Sequence, residues 1–80
     1  DESGYGRYDL AMIPIKSNEK AYLMEFKISK TKKGMEEKAQ KALKQIDEKK
    51  YDTKLKARGI KNILKIGVAF YGKEVKVVFK

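Results

Sequence analysis

From Arg7 to Ile15 the chain alternates, with Tyr8, Leu10 and Met12 on one side and Asp9, Ala11 and Ile13 on the other. A period of two puts successive residues on opposite faces of a strand, so this run predicts one. Lys16-Ser17-Asn18-Glu19 is polar turn material. Alternation then resumes from Ala21 to Ser29, with Tyr22, Met24, Phe26 and Ile28 opposite Leu23, Glu25 and Lys27, and the two runs read as a hairpin. After the basic loop Lys30 to Gly34 the period lengthens. Met35, Ala39, Ala42, Leu43 and Ile46 form the single stripe of an amphipathic helix reaching about Lys50. A polar stretch ends at Gly59. Asn62 to Phe70 is apolar on both faces, as in a central covered strand, and Tyr71-Gly72 turns the chain into the alternating run Lys73 to Phe79. The predicted order is strand, strand, helix, strand, strand, an α+β or α/β arrangement with one long helix laid on a sheet.

Eighty residues allow one small domain, and the 41% apolar content is enough to fold it. Charge changes the picture more: 20 Lys+Arg against 11 Asp+Glu leave +9, which makes a polyanion the first partner to test. The chain has no Cys, His or Trp. That excludes disulfide frameworks, thiolate or imidazole metal sites, and nucleophile systems built on Cys or on Ser with His. A metal here is held by oxygen. No run approaches a membrane span and no signal pattern opens the chain, so a soluble, cytoplasmic protein is expected, with no membrane partner. The start at Asp1, close to strand-like sequence, suggests the C-terminal part of a longer protein.

Within the strands, Glu25 and Lys27 are two apart and project together from Glu25-Phe26-Lys27. With a three-residue hairpin loop, paired residue numbers sum to 34 or 36. Asp9 then stands opposite Glu25 or Lys27, and all three share a face with Ala11, Ile13 and Leu23. Two carboxylates and an ammonium on an apolar surface that opens toward solvent need partners or a metal. Mg²⁺ suits such a pair, together with waters and phosphate oxygens. The same trio also fits a solvated cross-strand ion cluster. On the helix, Lys38, Lys41, Gln45 and Lys49 flank one side of the apolar stripe, a basic edge that could track a phosphate backbone. Ordinary soluble helix surfaces look similar.

The order of these pieces resembles the PD-(D/E)XK nuclease superfamily. The likeness is to the nuclease-like domain that follows AAA-ATPase-like domains in many bacterial and archaeal proteins. It rests on Gly6-Arg7-Tyr8-Asp9-Leu10, Met24-Glu25-Phe26-Lys27, Ala42-Leu43-Lys44-Gln45-Ile46 through Lys50-Tyr51, and Ile66-Gly67-Val68-Ala69-Phe70 with Gly72-Lys73. The resemblance implies a restriction-endonuclease-like fold with a mixed four-stranded sheet. It assigns Asp9 and Glu25 as metal-binding acids for Mg²⁺ or Mn²⁺ and Lys27 as the motif lysine. Gln45 and Tyr51 match a signature on the supporting helix, and Glu2 matches an upstream acid. Family members keep a helix before the first strand, for which this chain has no room. The sheet face carrying Tyr8, Leu10, Met12, Tyr22, Met24, Phe26 and Ile28 is therefore expected to be covered by a second copy or by a segment of the parent protein.

Two functions follow. One is a metal-dependent nuclease acting on DNA, or less readily RNA, with Asp9, Glu25 and Lys27 catalytic and Lys38, Lys41 and Lys49 on the nucleic acid. The alternative is a non-catalytic nucleic-acid-binding or interaction module of the same fold. A basic ribosome- or membrane-surface protein is a third reading, against which stands the lack of an aromatic amphipathic helix.

Overall fold

A computed structural model of the chain describes residues 10–12 and 20–80. Glu2, Asp9 and the predicted turn Lys16 to Glu19 lie outside the described residues. The elements are β1 (Leu10–Met12), β2 (Lys20–Ile28), α1 (Met35–Lys49), α2 (Tyr51–Ala57), β3 (Asn62–Tyr71) and β4 (Glu74–Phe79).

One element departs from the sequence reading: the polar stretch before Gly59 is a second helix, not a connection. Lys50 separates the two helices by taking a left-handed conformation, φ 55°, which costs a non-glycine residue some energy. Gly59, at φ 94°, closes α2. Its N–H reaches the Lys56 carbonyl and the Ile60 N–H reaches that of Leu55, the two bonds of a Schellman ending. Ile60 and Leu55, the residues that ending brings together, are both buried.

The strands form one mixed sheet in the order β1-β2-β3-β4, with β2 and β3 central and parallel and the outer pairs antiparallel. In the first pair residue 10 faces residue 24, a sum of 34 and one of the two expected registers. In the central pair Ala21 lies opposite Ile63, Leu23 opposite Lys65, Glu25 opposite Gly67 and Lys27 opposite Ala69. This set faces the helices. Ala21 and Leu23 join Leu43 and Ile46 of α1, Leu55 of α2 and Ile60 in one core, while Met35 and Ala39 pack on Ala69. Each buried Leu or Ile contributes roughly 1.5–3 kcal/mol.

Gly67 sets how closely α1 lies on the sheet. A Cβ at that position would press into the Ala39 carbonyl and come within 2.7 Å of the Leu43 nitrogen, so only glycine admits the helix backbone here. At the other end of α1, Ser29 and Thr31 order the preceding loop: Ser29 Oγ donates to the Thr31 carbonyl and Thr31 Oγ1 accepts from the Gly34 N–H. Glu36 and Glu37 sit in the first turn, favourable against the positive helix end.

Both helices lie on that one face. On the other, Tyr22, Met24, Phe26, Leu64, Ile66 and Phe70 are half-buried, and Ile28, Val75, Val77 and Phe79 are exposed. The rings of Phe26 and Phe70 pack 5.9 Å apart across it.

Candidate active site

Glu25 occupies a core position of β2. Its residue exposure is 0%, so it does not sit where the apolar surface opens to solvent, and the solvated ion cluster considered above does not describe it. A carboxylate at such a depth requires a counter-charge. That charge comes from the helix laid over the strand: Lys49 Nζ lies 2.8 Å from Glu25 Oε1, with the lysine side chain 11% exposed and the glutamate side chain 1%. Helical side chains lean toward the helix N-terminus, so a lysine in the last turn of α1 can reach back over the sheet. The second oxygen, Glu25 Oε2, is buried and has no hydrogen-bond partner among the described residues.

Gln45 stands four residues before Lys49, on the same row of α1. It is half-buried, and its Oε1 is likewise buried without a hydrogen-bond partner among the described residues. Two open oxygen acceptors, one of them on a buried carboxylate, are the donor type a hard divalent cation takes. Among the described residues no three acids cluster as a metal site. Of the two acids expected to hold the ion, Glu25 is buried on β2 and Asp9 lies outside the described residues.

The remaining residues named from sequence fall as follows. Lys27 follows Glu25 on the same face of β2, half-buried, across from Ala69. Tyr51 opens α2. Lys38 is half-buried and Lys41 exposed. Lys41, Lys44, Gln45 and Glu48 line a shallow groove of about 250 Å³. Lys49, grouped from sequence with Lys38 and Lys41, is turned inward to Glu25 instead. Glu2 lies outside the described residues.

A second charged cluster, not foreseen from sequence, ties β3 and the last residue, Lys80, to the helices. Lys65 Nζ lies 2.7 Å from Asp47 Oδ1 and 3.2 Å from Asp52 Oδ2, and Lys80 also reaches Asp47. Hydrogen bonds from Lys65 and then Lys80 hold the Asp47 carboxyl below its ordinary range. The bond to Asp47 raises Lys65 in turn. A groove of about 400 Å³ lies beside this cluster, lined by Asp52, Lys56, Lys61, Ile63, Lys65 and Lys80.

Comparison with known protein families matches residues 1–80 to the PD-(D/E)XK nuclease superfamily. The chain belongs to that superfamily. Its mixed α+β architecture agrees with a restriction-endonuclease-like fold. Neither a curated protein nor a solved structure gives a match. No helix among the described residues is long and apolar enough to cross a membrane.

Proposed function

We propose that this nuclease-superfamily domain is a divalent-metal-dependent phosphodiesterase acting on DNA, with Asp9 and Glu25 as the metal-holding acids and Lys27 as the assisting cation. The observation that carries the reading is the buried Glu25 carboxylate, whose Oε2 has no hydrogen-bond partner among the described residues. When bound, Mg²⁺ or Mn²⁺ would supply water activation and neutralisation of phosphate charge. Lys27, on the same face as Glu25, holds the scissile phosphate or orients the attacking water, worth more in a site shielded from solvent than on an open surface. Gln45 contributes an amide at the edge of the groove, where Lys41 and Lys44 meet backbone phosphates. The setting behind an AAA-ATPase-like domain, and a second copy or parent segment on the open sheet face, belong to the same proposal.

Plasmid nicking by the purified chain with Mg²⁺ or Mn²⁺, compared with Lys27→Ala and Glu25→Gln, is the direct test. Cleavage that needs metal and is lost in both variants supports the reading. Metal-independent cleavage, or cleavage equal in all three proteins, removes it. The alternative of a non-catalytic module has its own support, because an ion pair between Glu25 and Lys49 neutralises the acid without any metal. DNA binding without cleavage is its expected signature.

A further inference from the structure

The Glu25–Lys49 pair has an arrangement that a simple structural ion pair does not require. A buried carboxylate is most stable with both oxygens satisfied, since each unpaired buried acceptor costs free energy. Here one oxygen is taken by the ammonium at 2.8 Å and the other has no partner among the described residues. The donor also comes from a different element than the strand bearing Glu25, and it lies on the row of α1 that carries Gln45, whose side-chain oxygen is open as well.

We infer that Lys49 is the resident counter-ion of this site and competes with the divalent metal for Glu25. The inference rests on the metal reading above. The Lys49 ammonium, 2.8 Å from Glu25 Oε1, keeps the buried carboxylate compensated and fixed in orientation. A divalent ion that takes Glu25 meets a positive charge already on the same carboxylate, and charges a few ångströms apart in a poorly solvated site repel strongly. Binding of the ion and the Lys49 contact are thus antagonistic, and the coupling is reciprocal: the ammonium lowers metal affinity, and metal loosens the ammonium. Lysine suits this role because its flexible four-carbon stem can swing away without disturbing the helix that carries it. Lys49 is therefore a positioning residue that sets the metal requirement of the site.

The test uses the full chain and Mn²⁺ alone, without nucleic acid. Wild type, Lys49→Met and Lys49→Arg are titrated by calorimetry, and their thermal unfolding is followed at each metal concentration. Lys49→Met keeps the apolar stem and removes the charge. It is expected to bind Mn²⁺ at least tenfold more tightly than wild type, to melt lower than wild type without metal, and to gain more in melting temperature when metal is added. Lys49→Arg is expected to stay within threefold of wild-type affinity. Equal affinity in wild type and Lys49→Met overturns the inference and leaves the metal reading standing. No Mn²⁺ binding by either protein, or binding undiminished by Glu25→Gln, overturns the metal reading and the inference with it. Where Lys49→Met does not fold without metal, ¹⁵N-lysine NMR of the wild-type chain decides. The Lys49 ammonium, assigned from its loss in Lys49→Arg, should be protected from exchange in the metal-free protein and lose that protection as Mg²⁺ is added. Protection unchanged at the highest Mg²⁺ concentration overturns the inference.

Discussion

Glu25 and Gly67 are register partners across the parallel β2–β3 pair, so the sheet position without a side chain lies directly beside the buried carboxylate. The glycine lets the backbone of α1 settle onto the sheet, and the settled helix carries the lysine that reaches Glu25.

Gly67→Ala should therefore be more damaging than a surface change of the same size. The added methyl meets helix backbone on two sides, and overpacking of this kind costs about 1–3 kcal/mol. Chemical denaturation of the variant should show a loss at the upper end of that range. A loss below about 0.5 kcal/mol would mean that α1 shifts freely.

Lys49→Ala removes one partner of a buried pair and leaves the other uncompensated, a change that typically costs about 3–5 kcal/mol. Glu25→Ala removes the acid and strands a lysine that is only 11% exposed. The double variant Glu25→Ala/Lys49→Ala should lose less than the two single losses added together, and denaturation across the cycle measures that coupling.

Acid sensitivity should trace in part to Asp47. Its carboxyl is held below the ordinary value of about 3.9, so its contribution is complete above that value and lost as pH falls through the lower folded pKa. Lys65 is raised, so its contribution is complete below about 10.4 and lost as pH rises through the higher folded pKa. Asp47→Asn should lower stability by roughly 0.5–1 kcal/mol, given that Asp47 is about one-third exposed. The deficit should be constant between about pH 4 and pH 10 and close in stronger acid. Thermal unfolding of both proteins over that range checks it.

DNA affinity should fall steeply with salt, because lysines on phosphates act by releasing counterions. Lys38→Ala and Lys41→Ala should each reduce the slope of log K against log salt by about one. Lys49→Met should leave that slope unchanged, since its charge is spent on Glu25. Fluorescence anisotropy with a short duplex separates the three variants.

The exposed apolar face makes a different prediction. Phe79 is 68% exposed, so Phe79→Ser should alter folding stability by no more than about 0.5 kcal/mol. If a second copy covers this face, the same change should weaken self-association in sedimentation at several concentrations.

Much of this was legible in the sequence because the residues involved repeat. The period of two in Ala21 to Ser29 and the 3.6-residue stripe from Met35 to Ile46 mark β2 and α1, and glutamate at 25 stands out as a charge on the inward-facing side of a strand. Helix α2 is hidden because Leu55 is the only buried apolar residue among its described side chains, too few positions for a period to show. Helix lysines usually face solvent, and the engagement of Lys49 with Glu25 depends on how α1 crosses β2, which no local pattern carries. Gly67 did leave a trace, a lone glycine within an apolar strand, which signals close backbone approach. The Asp47, Asp52, Lys65 and Lys80 cluster joins three separate elements and is visible only once they are packed.

The parallel pairing of β2 with β3 also orders events during folding. Residue 20 pairs with residue 62, so the loop to be closed spans both helices and the connections around them. The antiparallel β3–β4 turn, with only Gly72 and Lys73 between its strands, can form locally and fast. Central pairing comes later, because distant segments must meet before any contact rewards the lost chain entropy. Until then Glu25 is an ordinary hydrated acid on a solvated strand. Its burial, its meeting with Lys49 and the closing of the sheet are one cooperative event, and a nascent chain acquires the buried Glu25–Lys49 pair only after the residues around Gly67 have left the ribosome.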